Sequence, residues 1–489
     1  MKLQFSSLTL FALCAAAIPV DPPLDSEGMQ SFVTKDGLLD TLENLDRIGA
    51  ENGGNRATGT PGYAASLEYL KSRLAKSKQY RYWTQEFLVP LFNGSEKVQF
   101  TVNGESIPIT RLNYAPETMS EDIKGAIVKG PMGTASCDTS SYENLNVKGQ
   151  IVLLDGSECP TGNLLESKVD TALGVGAVAV IIYRDDGDGP HEAPVPECHR
   201  PGGFIKKSDG LTLLQRIESG DKVTGHYHRS QTVSFERTQN TFAESKGGDP
   251  DNVIMLGAHL DSVVFGPGLN DDGSGVSLLL ALFDAAQHFL PKNKIRFAWW
   301  GAEENAMIGS RYFTSHITKE EADRILVYVN FDMVGRGQAF GVFNSSSSMQ
   351  GLSAAPGSTY IEKLFVDHLV SKGIPITPFP FTRTSDYADF MALLNKPVGG
   401  IHTGIIPERD PCWHLNCDTL SNINITALEI NAKAAAHVIA VLSNDATDNI
   451  PKTPYTPQTG VRDFGPADDA DSLPWDCIVR KQLTTIGGQ

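Results

Sequence analysis

The sequence predicts an α/β protein whose core is doubly wound, with a separate β-rich unit set into it. Three observations carry that expectation. From Asn252 onward, short apolar runs alternate with helical stretches, the sign of helices packed on both faces of a sheet. Three of those runs lead directly into a His or a carboxylate. Between residues 115 and 233 the texture instead becomes short β runs, loops and one helical stretch near residues 166–173.

Length and charge bound the rest. At roughly 150 residues per domain, 489 residues suggest about three domains, or one large domain carrying an insertion. The chain has 41 basic and 58 acidic residues, a net charge of −17. Phosphate contacts need clustered Lys and Arg, so nucleic acid is excluded as a partner. Gly and Pro (46 and 28 residues) stay below the share that marks low-complexity chains.

Met1-Lys2, an apolar run over residues 8–13 and Cys14-Ala15-Ala16-Ala17 read as a secretory signal peptide over residues 1–17. That run is shorter than the ~20 apolar residues a bilayer needs, and no later segment is expected to span a membrane; residues 276–286 come nearest. Leu38, Leu39, Leu42, Leu45 and Ile48 recur at helical spacing. Residues 55–62 form a turn-rich loop, and Pro61 opens a helix carrying Leu67, Leu70 and Leu74 on one face. Strands are expected near residues 82–89 and 98–101, which closes a first core segment, 18–114, with room for a short propeptide at its start.

The insertion, 115–233, holds β runs at 126–128 and 151–154, a turn into a buried strand over 174–183, and a loop over 185–196. The core resumes over 234–445. Residues 446–489, rich in Pro, Asp and Thr, read as a surface-wrapping tail.

Export makes the cysteines interpretable. Without Cys14, six remain: Cys137, Cys159, Cys198, Cys412, Cys417 and Cys477. An even count in an oxidising compartment suggests disulfides. Pairing of Cys137 with Cys159 is expected within the insertion, and Cys198 with Cys477 would tie the tail to it. Asn93, Asn344 and Asn424 each begin a glycosylation sequon.

The chemistry lies at strand ends. Residues 253–258 lead into His259-Leu260-Asp261, residues 295–300 into Gly301-Ala302-Glu303-Glu304, and residues 326–331 into Asp332. In open α/β sheets, ligands bind at the carboxyl ends of strands. A loop adds Asn270-Asp271-Asp272-Gly273-Ser274-Gly275, and Cys412-Trp413-His414-Leu415-Asn416-Cys417-Asp418 adds a second His. His nitrogen with carboxylate oxygen is a catalytic zinc pattern. The extra carboxylates suit two metals sharing a bridge. Asp261 is placed to accept the second ring proton of His259 and fix its tautomer.

These segments resemble the zinc-dependent aminopeptidase family of bacterial leucyl aminopeptidases and fungal vacuolar aminopeptidase Y. The likeness runs through His259 to Ser262, Gly268 to Gly275, Phe297 to Gly309, Asn330 to Gly335 and Cys412 to Asp418. It extends to Asn55–Gly62 and Asn422–His437, and the insertion is similar to a protease-associated domain. The resemblance implies a mixed-sheet zinc exopeptidase core and two zinc ions. His259 and Asp332 would hold one ion, Glu304 and His414 the other, with Asp271 bridging. Glu303 would act as general base and acid; which member of Glu303-Glu304 is the ligand comes from the family pattern alone. The family also pairs Cys412 with Cys417.

Peptides with a free N-terminus are the implied substrates, with leucine or other apolar residues preferred. A monomer is expected, secreted or, alternatively, vacuolar. Where the family often has Tyr before its last His, this chain has Trp413, which either supports the oxyanion or only lines the pocket; Trp413→Phe is expected to lower turnover and spare zinc. The insertion is either a lid beside the cleft or a spacer. Alternatives are a carboxypeptidase-like exopeptidase of the same fold, for which Arg336 and Arg383 would have to hold a substrate carboxylate, a glutaminyl cyclase-like enzyme, and a non-catalytic ectodomain.

Overall fold

The computed structural model describes residues 22–92, 97–111, 119–157, 166–184, 201–337, 339–348, 352–404 and 410–455. The expected signal peptide, the 185–196 loop and residues 456–489 of the expected tail lie outside these.

Among the described residues, two eight-stranded sheets organise the chain. In spatial order the first holds strands Tyr80–Phe92, Val233–Ser245, Asn293–Trp300, Asp249–His259, Ile325–Phe331, Val398–His402, Gly341–Ser348 and Thr377–Phe381. Its centre is parallel: Asp249–His259 pairs in parallel with strands on both sides. Antiparallel pairs lie toward the edges, so the sheet is mixed.

Period-two side-chain alternation feeds two cores. Ile254, Leu256 and Ala258 join Phe297, Trp299, Val327 and Val329 under helices Lys35–Glu51, Ser274–Ala286 and Ile425–Asn449. Val253, Met255, Ala298, Trp300 and Tyr328 enter the opposite core with Phe313 and Phe390. Helices cover both faces, so the central strands are apolar on both sides. Close packing there sets Gly257: a Cβ would lie 2.0 Å from the Tyr328 hydroxyl, which itself accepts a 2.8 Å hydrogen bond from Trp300 Nε1.

The second sheet begins earlier than the composition change implied. Strand Lys97–Val102 pairs with Thr224–Gln231, which pairs with Met119–Lys129. The insertion therefore already includes Lys97, rather than beginning near 115. Tyr80–Phe92 stays in the first sheet, paired along its length with Val233–Ser245. Both crossings occur between strands paired over long sequence separations, which local composition does not register.

Two further expectations change. Helix Ile425–Asn449 continues past the expected start of the tail. It is also long and apolar enough to cross a membrane, contrary to the expectation that no segment after the signal peptide is. Here Leu428, Ala432, Ala435, Val438, Ile439 and Leu442 are buried in the protein core. Helix Ser26–Phe32 packs on it, with Leu24, Met29 and Val33 fully buried.

Candidate metal centre

The three central strand ends meet where the parallel strands stop. His259 ends its strand, Asp332 directly follows Ile325–Phe331, and Glu303 and Glu304 lie just beyond Asn293–Trp300. Asp271 sits in the turn before helix Ser274–Ala286, and the Asp271–Asp272 peptide is cis. His414 lies in a loop closed by the Cys412–Cys417 disulfide, whose Cα atoms are 5.3 Å apart. Ala302, Met333 and His414 all adopt left-handed backbone angles, a costly conformation for non-glycine residues.

Five side chains offer ligand atoms in two groups, His259–Asp271–Asp332 and Asp271–Glu304–His414, each with its atoms within 4.8 Å of one another. Asp271 belongs to both. Its Oδ1 lies 3.1 Å from His259 Nε2, and its Oδ2 lies 3.1 Å from His414 Nε2. Asp332 Oδ1 is 3.7 Å from His259 Nε2, and Glu304 Oε2 is 3.2 Å from His414 Nε2. Zinc bonds of 2.0–2.1 Å in a tetrahedron put neighbouring donors about 3.3 Å apart, so these separations fit. Glu304 Oε1 and Asp332 Oδ1 are buried without a hydrogen-bond partner. Orphaned buried oxygens are costly unless a cation meets them. Donor chemistry, spacing and these orphans together fit metal binding.

Glu303 Oε2 stands 3.8 Å from His259 Nε2. Burial pushes its carboxyl well above the usual range; the His259 charge opposes this, and Asp386 and Glu304 add to it. Burial also raises Glu304, to about 6, against the pull of His414. Burial would lower His414, but Glu304 and Asp271 raise it to about 10.

The supporting residues are mostly ones with no distinguishing signal in the sequence. Asp272 accepts from the backbone N–H of His259 (3.1 Å), Gly275 (2.9 Å) and Met333 (3.2 Å), tying two strand ends to the helix start. Asp418 accepts from the N–H of Asn270 and Asp271 at 2.9 and 3.0 Å. Arg56, fully buried, donates to the carbonyls of Pro267, Leu260 and Gly268 at 2.7, 2.5 and 2.8 Å. Gly268 there has φ +60°. A charged residue inside the turn-rich 55–62 loop was the available signal for Arg56.

Asp261 differs from its expected role. Its carboxylate accepts from the N–H of Glu303 and Glu304 at 3.1 and 3.2 Å. His259 Nδ1 is 3.1 Å from the Asp261 backbone carbonyl and 3.7 Å from its carboxylate. Asp261 thus supports the imidazole through its main chain and the acidic pair through its side chain. Trp413 differs too: its indole N–H donates to Asp271 Oδ2 at 3.0 Å, and its ring packs 4.4 Å from that of His414.

Among the remaining expected residues, Cys137 is disulfide-bonded, whereas Cys159, Cys198, Cys477 and Asn93 lie outside the described residues. Asn344 Oδ1 accepts from the Ser346 N–H and hydroxyl. Exposed Asn424 caps the C-terminal helix through Ala427 N. Arg336 Nη1 is held by the Asn422 side chain at 2.6 Å.

Comparison with known proteins agrees with this architecture. Residues 240–439 match Peptidase family M28, and residues 123–213 match the PA domain. An aminopeptidase of Pseudomonas aeruginosa (strain UCBPP-PA14) is 32% identical over 473 residues, spanning 88% of this chain and 84% of that one. Probable leucine aminopeptidase 2 of Trichophyton verrucosum is 30% identical over 468 residues, spanning 92% and 91%. In fold, the solved aminopeptidase from Aneurinibacillus sp. strain AM-1 superposes with a TM-score of 0.67 at 21% identity, covering 88% of this chain and 98% of that one. With its converging strand ends and inserted PA domain, the chain belongs to peptidase family M28.

Proposed function

We propose that this M28 peptidase is a di-zinc aminopeptidase that removes the N-terminal residue from peptides. The observation that carries the reading is the division of Asp271, whose two oxygens turn to different His–carboxylate pairs. His259 and Asp332 would hold one ion and Glu304 and His414 the other, with Asp271 offering one oxygen to each group. Bound zinc supplies Lewis acidity, lowering the pKa of a bound water and polarising the scissile carbonyl.

The chain's own groups do the rest. Glu303 accepts the water proton and later delivers it to the leaving amine. Asp261 aims Glu303 by binding its backbone N–H. Asp272 and Asp418 fix the turn that presents Asp271. Trp413 holds Asp271 Oδ2. Several carboxylates converging beside the reacting centre favour a cationic α-ammonium group, which restricts cleavage to the first residue. Arg336, which a carboxypeptidase-like enzyme would need for a substrate carboxylate, is instead engaged with Asn422.

Preference for leucine or another apolar first residue is supported by the name of the Trichophyton relative. Secretion is supported by the signal-like start and by the Cys412–Cys417 disulfide.

The test is hydrolysis of one peptide in free, N-acetylated and C-amidated forms, with and without a chelator. The free and amidated forms should be cleaved, the acetylated form spared, and chelation should stop the reaction. Cleavage that survives both N-acetylation and exhaustive metal removal would overturn the reading.

A further inference from the structure

Large apolar side chains facing water carry a free-energy cost, and three of them border the candidate centre. Val264 and Phe265 are 57% and 52% exposed, and Leu415 is 42% exposed. The first two lie in the turn that follows Asp261-Ser262; Leu415 directly follows His414. The turn and the disulfide loop touch: a Cβ on Gly266 would lie 2.3 Å from the Leu415 carbonyl oxygen. The turn is fixed from beneath. Ser262 Oγ donates to the Gly266 carbonyl at 2.9 Å, and Arg56 holds the Pro267 carbonyl. Three apolar side chains are thus presented on one rigid rim. Exposed large apolar side chains gathered on adjoining loops are the kind of surface that marks a binding site.

We propose that Val264, Phe265 and Leu415 form a binding ledge for an apolar side chain on the residue that follows the scissile bond. The inference rests on the aminopeptidase reading above. An exopeptidase admits one residue past its buried ligands, and the rest of the peptide must leave across the surface beside them. The ledge is continuous in chain with His414 on one side and Asp261 on the other, so it borders that exit. The favoured substrates are therefore peptides with Phe, Leu or a similar side chain in second position. Covering about 50–60 Å² of apolar area on the ledge is worth roughly a factor of ten in kcat/KM.

The experiment compares kcat/KM for Leu-Phe-Ala, Leu-Gly-Ala and leucine amide on the zinc-loaded full-length protein and on its Phe265→Ser and Leu415→Ser variants. The expected Phe-to-Gly ratio is about tenfold in the parent, falling to about twofold in Phe265→Ser, chiefly through KM. A ratio near one in the parent, or a tenfold ratio kept by both variants, overturns the ledge. Leucine amide has no second residue and separates the two readings. If it is hydrolysed while the ratio is flat, only the ledge fails; if none of the three substrates is hydrolysed, the aminopeptidase reading fails and takes the ledge with it. Concentration-dependent dimerisation of the parent that is lost in Phe265→Ser would assign the surface to self-association and also refute the proposal.

Discussion

Replacing Trp413 with Phe tests how the bridging carboxylate is held. The indole N–H lies 3.0 Å from Asp271 Oδ2, the oxygen that also faces His414 at 3.1 Å. Phe keeps an aromatic ring against His414, though a smaller one, and removes the donor. A hydrogen bond to a charged acceptor is worth about 1.5–3 kcal/mol. The pair is partly buried, so we take the lower half of that range, about 1.5–2 kcal/mol. At about 1.4 kcal/mol per tenfold, zinc should bind roughly 10–30-fold more weakly, within the usual effect of removing a group that orients a metal ligand. Equilibrium dialysis against graded zinc buffers, with bound zinc measured per chain, reads this directly. The sequence alone suggested that Trp413→Phe would spare zinc; the indole's direction reverses that expectation. Unchanged zinc affinity with lowered kcat would refute the reasoning and return the indole to the substrate.

Other expectations follow from the same geometry. Glu303→Gln should cut turnover by about 10²–10⁴, as read by initial rates, while zinc content stays at the parent level; retained turnover would remove Glu303 from proton transfer. Arg56→Met strands the carbonyls of Leu260, Pro267 and Gly268 in a buried setting and should cost about 3–5 kcal/mol in urea unfolding; a loss below about 1 kcal/mol would show that these carbonyls find other partners. The stacked His368–His437 pair, 4.3 Å apart, predicts acid sensitivity. Burial pushes His368 down to about 4, with the His437 and Lys372 charges adding, and burial likewise lowers His437. Between pH ~6.5 and 4 the unfolded state therefore binds more protons than the folded state, so stability falls as pH drops through that window. Allowing for solvent screening, the His368 contribution is roughly 1–2 kcal/mol. His368→Phe should flatten the dependence; an unaltered slope in denaturation midpoints between pH 7 and 4.5 would discount the pair.

Much of the candidate site was legible because its ligands sit at the ends of strands, and a strand buried on both faces is an unbroken apolar run that stops abruptly at a polar residue. His259, Glu303, Glu304 and Asp332 each follow such a run. The residues that hold them were not legible. Arg56 meets Leu260 across 204 positions, and Asp418 meets Asp271 across 147. A lone Arg in a turn-rich loop looks the same in sequence whether it is exposed or fully buried. The insertion's start was misplaced for a similar reason: Lys97–Val102 is a strand of ordinary composition, and only its pairing with Thr224–Gln231 assigns it to the second sheet.

The sequence by itself determined the element types, the doubly wound core, the candidate ligand set and the chain's resemblance to zinc aminopeptidases. The elements and core rest on local periodicity, and the ligand set on polar residues at strand ends together with the family pattern, which alone chose Glu304 over Glu303. Tertiary structure alone decided direction. It turned the Asp261 carboxylate to the backbone of Glu303 and Glu304, the Trp413 indole to Asp271, and the apolar face of Ile425–Asn449 into the core. Side-chain direction depends on which distant segments surround a residue, and hydrogen-bond partners and burial are properties of that surrounding, not of the neighbours in sequence.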